Sequence, residues 1–211
     1  MIQKLLAWEG SGFTPLTGPA TLVADNPDHA GKFEADAEEI AEGWLGGREV
    51  ERIYLSQLGT LNARSAIKAA FERGSSLMSY IGHGSTGIWA AEQMLNSSHV
   101  GGLVPQAQQP LVLAMNCLNG FFHTPWSDSL AEKLVKAEGK GAIAAFSSSG
   151  LSLNEAAKVY HKAMLDQILY GTHERLGDAL LAAQSAYADS GADPEMLAIY
   201  HLLGDPALKI R

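Results

Sequence analysis

Leu111-Val112-Leu113-Ala114-Met115-Asn116-Cys117-Leu118-Asn119-Gly120 is an apolar run that breaks into a polar, glycine-containing loop, and it carries the one cysteine of the 211-residue sequence. An apolar run this short, bounded by turn residues, reads as a strand buried on both faces, the kind that fills parallel sheets. An earlier stretch, Ser76-Leu77-Met78-Ser79-Tyr80-Ile81-Gly82-His83-Gly84-Ser85, has the same grammar and ends in a histidine held between two glycines. Helical patterns before and after both runs supply crossover connections, so the two strands point the same way. Ligands bind at the carboxyl ends of strands in open α/β sheets. Adjacent strands would therefore bring Cys117 and His83 to one edge.

Working outward, Ala20–Ala24 reads as a first strand that ends at Asp25-Asn26-Pro27-Asp28. A helical period follows from Lys32, with Phe33, Ala37, Ile40, Ala41 and Trp44 on one face, closed by Gly46-Gly47. Val50–Leu55 is a second strand, Asn62 is placed to cap the next helix, and Gly74 ends it. The long connection between the histidine and cysteine strands contains Trp89 and Met94 and is read as possible substrate-facing surface. Beyond Cys117, the segment Leu118–Trp126 holds Phe121, Phe122, His123 and Trp126 without any period, a loop that either tucks in or binds something. Ser127 or Asp128 caps a helix burying Leu130, Ala131, Leu134 and Val135, and Gly141–Phe146 is another buried strand breaking into Ser147–Gly150. Two helical patterns, around Ala156–Ile168 and Leu176–Tyr187, precede a short helix or turn. Gly204-Asp205-Pro206 then reads as a turn into a terminal strand. Gly10–Gly18 is turn-rich, and residues 1–19 read as the remnant of a preceding segment or subdomain before a domain spanning 20–211.

The formal net charge of −8, with no Lys/Arg cluster, argues against nucleic acid or an anionic membrane surface as a partner. No apolar run approaches the length of a membrane-spanning helix, which argues against membrane insertion. One cysteine cannot form an internal disulfide, and it leaves a thiol to explain.

A cysteine attacks carbonyls as its thiolate, and a neighbouring imidazole takes its proton and later protonates the leaving amine. Cys117 as nucleophile and His83 as base suffice for acyl transfer. The N–H groups of Gly84 and Cys117 could form an oxyanion hole, each donor worth roughly 3–4 kcal/mol. Against this stands the ordinary fate of a lone cysteine, which is to lie inert in a core. His123 is open as a cleft residue or alternative base. The remaining histidines lack metal-ligand spacing, so a metal site on Cys117 is not expected. Gly82-His83-Gly84 lacks the length and lysine of a phosphate-binding loop.

Tyr80–Ser85, Asn116–Gly120 and Leu203-Gly204-Asp205-Pro206-Ala207-Leu208 together resemble the gingipain-type cysteine peptidases, peptidase family C25, from about Ala20 onward. The resemblance implies a caspase-like three-layer α/β/α sandwich with a mostly parallel central sheet. It implies peptide-bond hydrolysis through a thioester acyl-enzyme, with Cys117 and His83 as the dyad and Gly84 and Cys117 as oxyanion donors. The family's acidic residue beside the catalytic histidine falls on Asp25, which would orient the imidazole; read from the sequence alone, Asp25 could equally be a turn former. Its primary-pocket acid, selecting Arg or Lys before the cut bond, falls on Asp36, which could equally be a solvated charge in a helical first turn. Asn154 stands where an arginine-specific member carries a tryptophan, a departure that bears on substrate preference. No cofactor is required, structural calcium is possible without a clear loop for it, and an exported or cell-envelope parent longer than this chain is implied. The alternatives are a catalytically silent caspase-like domain that binds peptides or partners, and a Cys/His acyl transferase.

Overall fold

The computed structural model describes residues 2–10 and 18–211; the turn-rich segment expected between Gly10 and Gly18 lies outside them. In chain order the elements are α1 (Ile2–Gly10), β1 (Ala20–Ala24), α2 (Phe33–Trp44), β2 (Val50–Tyr54), α3 (Leu55–Arg73), β3 (Leu77–Ile81), β4 (Gly84–Ser85), β5 (Ile88–Trp89), β6 (Leu95–Asn96), α4 (Ser97–Gly101), β7 (Leu111–Met115), α5 (Leu130–Lys136), β8 (Ala144–Ser148), α6 (Asn154–Leu165), α7 (Leu176–Asp189), α8 (Glu195–Ile199) and β9 (Tyr200–Leu203). A π-helical turn, Asp166–Tyr170, extends α6.

Six strands form one sheet in the order β2-β1-β3-β7-β8-β9. All its pairings are parallel except that of β9, which runs antiparallel to β8. Strand residues alternate between two cores. Leu22, Leu77, Ile81, Leu111, Leu113 and Met115 pack with residues of α2, α6 and α7, whereas Val23, Met78, Tyr80, Val112 and Ala114 pack with α3, α5 and the β4–β6 insertion. The period of two along a strand produces this division, since successive side chains point to opposite faces. The result is the expected caspase-like α/β/α sandwich.

Register positions the chemistry. Ile81 lies opposite Met115 in the β3–β7 pair, so His83 and Cys117 each sit two residues beyond the last matched position. Ala24 is paired with Ile81 on the other side, which sets Asp25 at the same edge.

Several local expectations are corrected. Asn62 is not a cap: α3 begins at Leu55 and continues through a break at Gly59 (φ 69°), and the Asn62 amide donates to the Leu58 carbonyl within the helix. Ser129, rather than Ser127 or Asp128, caps α5 in a reciprocal box with Glu132. β8 lies further along than Gly141–Phe146, because Ser147 and Ser148 are buried and paired with β9. The last strand precedes the Gly204-Asp205-Pro206 turn; after it, Lys209 makes only an isolated bridge to Arg175. Trp89 and Met94 are buried core residues, not substrate-facing ones. α1 joins the main core through Trp8, and the Lys4 ammonium donates to the carbonyls of Lys140 (3.0 Å) and Ala142 (2.8 Å) beside β8.

Candidate active site

His83 is held by its main chain and its ring separately. Its N–H donates to Asp25 Oδ2 at 3.2 Å. Its carbonyl accepts from the Tyr80 hydroxyl at 2.6 Å, and the Tyr80 ring is stacked on Trp89 with centroids 4.5 Å apart. The imidazole Nε2 lies 2.9 Å from Asp28 Oδ2, and Phe33 meets the ring edge-on at 5.3 Å. Asp25, the carboxylate expected to orient the imidazole, therefore fixes the loop instead. The reason is local: at the first position past β1, its carboxylate accepts the backbone N–H groups of Asn26 and His83. Asp28, three residues on, reaches the ring.

The two carboxylates differ electrostatically. Burial pushes the Asp25 carboxyl above its usual range, and the N–H donations from His83 and Asn26 counter this. The hydrogen bond from His83, followed by one from the Ala30 N–H, draws the Asp28 carboxyl below its usual range. A proton on Nε2 directed at Asp28 leaves Nδ1 as the acceptor nitrogen of a neutral imidazole.

Cys117 lies two residues past β7 across the cleft. Its sulfur accepts the N–H of Ser152 at 3.3 Å and faces the Ser152 carbonyl at 3.5 Å. Ser152 is in turn hydrogen-bonded to the Tyr200 hydroxyl at 2.8 Å. The next residue, Leu118, takes a left-handed conformation (φ 61°), uncommon for a branched side chain, while its N–H donates to the Gly150 carbonyl. Such backbone persists only where surrounding structure over-determines it. Among the described residues no hydrogen bond joins the His83 ring to the Cys117 sulfur. Both line a narrow cleft with Gly82, Phe33, Asn116, Ser152 and Asn154, and such bonds commonly tighten only when substrate is bound.

Gly84 brings its main chain against that of Cys117: a Cβ there would lie 2.8 Å from the Cys117 carbonyl oxygen and closer still to the Asn116 amide. The two proposed oxyanion donors thus belong to backbones in close approach. His123 stacks on Phe122, which meets His201 edge-on, and does not line the cleft.

Asp36 is buried on α2, and both of its oxygens are engaged. Oδ2 accepts from the Asn154 amide at 2.8 Å and Oδ1 from the Lys158 ammonium at 3.1 Å, both from α6. The residues that the sequence did not single out, Asp28, Ser152 and Lys158, carry weak signals. Asp28 sits in a turn-forming string, Ser152 between two exposed leucines, and Lys158 one helical turn after Asn154.

A parallel sheet that sets a histidine and a cysteine at adjoining strand ends between two helical layers defines a caspase-like α/β domain with a thiol and an imidazole in one cleft. A family model, Peptidase family C25, matches residues 1–211, and the chain belongs to that family. Gingipain R2 from Porphyromonas gingivalis is 27% identical over 156 residues, covering 67% of this chain and 20% of that protein. Gingipain R1 from the same species is likewise 27% identical over 156 residues, covering 15% of its length. The crystal structure of the Arg-specific cysteine proteinase gingipain R superimposes with a TM-score of 0.81 at 20% identity, over 100% of this chain and 52% of that one. A complex of Porphyromonas gingivalis gingipain pro- and mature domains gives 0.75 at 22% identity, over 94% and 49%. The chain thus spans 20% or less of these curated relatives and about half of each solved chain. Among the described residues no helix is long and apolar enough to cross a membrane.

Proposed function

We propose that this chain is a cysteine endopeptidase domain acting on polypeptide through a Cys117–His83 dyad. The observation that supports it most is the 2.9 Å pairing of His83 Nε2 with Asp28, beside a thiol in the same cleft. Nδ1 takes the thiol proton and the Cys117 sulfur attacks the substrate carbonyl carbon. The N–H groups of Gly84 and Cys117 receive the developing oxyanion. The protonated imidazole then passes its proton to the leaving nitrogen as the C–N bond breaks, leaving a thioester. Water, deprotonated by the same imidazole, attacks the thioester and releases the acid and the thiol. Asp28 carries no proton in the cycle; it holds the ring and balances its positive charge.

Mass-spectrometric labelling with peptidyl acyloxymethyl ketones tests this reading. Adduct on Cys117 that disappears in Cys117→Ala and slows strongly in His83→Ala is the expected result. A folded chain that forms no adduct with any peptidyl probe would point instead to a silent peptide-binding domain.

A further inference from the structure

The recess beside the Cys117 sulfur is small, and an ion pair from the protein itself lies behind one of its lining residues. The cleft is about 40 Å³ in volume and is lined by Phe33, Met115, Asn154 and Ala157 next to the dyad. Behind Asn154, and not themselves among the lining residues, Asp36 and Lys158 face each other. Every group that would have to move for a long cation to enter is tied. The Asn154 amide is bonded to one Asp36 oxygen, the Lys158 ammonium to the other, and Lys158 is also paired with Glu155 at 3.1 Å. Gly31 crosses directly over Asn154: a Cβ at Gly31 would lie 2.7 Å from the Asn154 amide nitrogen.

We propose that Lys158 is a specificity-determining residue, and that the substrate side chain seated beside Cys117 is small and uncharged rather than Arg or Lys. This rests on the peptidase reading above. An incoming guanidinium or ammonium would have to displace Lys158 from Asp36 or be buried beside it as a like charge, and burying an unpaired charge is strongly unfavourable. A small neutral side chain leaves the pair intact and fits the volume. The α2–α6 ion pair lies directly behind the lining residue Asn154, so the Asp36 carboxylate already holds an internal cation, while Asp25, the other buried carboxylate near the recess, is taken up by the N–H groups of Asn26 and His83.

The test compares rates of Cys117 labelling by peptidyl acyloxymethyl ketones that differ only in the residue next to the warhead: Ala, Arg or Lys. The Ala probe is expected to label the chain at least about tenfold faster than either basic probe, a discrimination within reach of a side-chain pocket. Lys158→Ala exposes the Asp36 carboxylate and is expected to shift the Ala-to-Arg ratio towards Arg by about tenfold or more. Lys158→Gln keeps a donor to Asp36 and removes the charge, so it tests the same point in a variant that retains the α2–α6 link; the same direction of shift is expected. Faster labelling of the parent chain by Arg or Lys, or a ratio unchanged in both variants, overturns the specificity assignment and leaves the peptidase reading standing. Absence of adduct from all three probes overturns both.

Discussion

His83 and Asp28 meet through ring nitrogen and carboxylate, Nε2 to Oδ2 at 2.9 Å, while the more deeply buried Asp25 holds only the His83 main chain. The division of labour separates what positions the ring from what positions the loop. Asp28→Asn should therefore lower kcat/KM on the order of 100-fold with little change in thermal midpoint, because it removes a ring-orienting charge from an exposed pair. Steady-state kinetics beside a melting curve checks it. A large loss of stability with unaltered catalysis would reverse the assignment.

Asp25→Ala should show the opposite profile in its stability. Two backbone donors, of Asn26 and His83, lose their acceptor at a buried strand end, a change that costs about 1–3 kcal/mol. Urea unfolding of the variant against the parent chain reads this directly. An unchanged midpoint would show that solvent replaces the carboxylate without penalty.

Gly84→Ala tests the close approach across the cleft. The new methyl would press on the Cys117 carbonyl and the Asn116 amide, and a displacement of the order of 1 Å at the reacting groups costs about 100-fold in rate. Labelling of Cys117 by a peptidyl probe should fall by that order, while iodoacetamide, which needs no oxyanion site, should still alkylate it. Equal losses with both reagents would point to general misfolding.

His161 makes the fold acid-sensitive. It is fully buried on α6 with Nε2 3.1 Å from the Ser79 hydroxyl, and burial pulls its pKa down to about 3 from an ordinary 6.5. Between those values the unfolded chain binds a proton that the folded chain does not, so stability rises with pH across the window and is complete above about pH 6.5. Acidification from pH 6.5 to pH 5 should remove about 2 kcal/mol through this group. His161→Gln should flatten that slope in urea titrations run at the two pH values; an unaltered slope would place the acid sensitivity elsewhere.

Lys4→Met should loosen α1. The Lys4 ammonium, drawn down to about 8 by burial, donates to the carbonyls of Lys140 and Ala142, and those acceptors would be left unpaired at about 1–3 kcal/mol. Faster amide exchange over residues 2–10 is the expected readout. Unchanged protection there would show that Trp8 alone holds the helix.

Strand content and the placement of Cys117 and His83 at neighbouring strand ends were legible because both rest on short-range pattern. Two apolar runs of equal grammar imply parallel neighbours, and their ends then coincide. What could not be read was set by distance in sequence. Asp28 lies 55 residues from His83 and nothing in Asp25-Asn26-Pro27-Asp28 says which carboxylate a folded turn will aim at a ring. Lys158 is 122 residues from Asp36, on a helix whose rotation against α2 is a product of core packing. Helix caps failed for a nearer reason: Ser127, Asp128 and Ser129 are chemically equivalent caps, and only the reciprocal bond with Glu132 chooses among them.

The hydrogen bond between Ser152 and Tyr200 has a bearing on biosynthesis. Tyr200 opens the antiparallel strand β9, which is threaded onto the sheet after the strands carrying His83 and Cys117 have been made. A nascent chain that ends before Tyr200 therefore holds both Cys117 and His83 but leaves the Ser152 wall of the thiol unbraced. Residues 199–203 complete that wall, through Ser149 to Ile199 and Ser152 to Tyr200. Assembly of the surroundings of Cys117 is thereby deferred until residues 199–203 have left the ribosome.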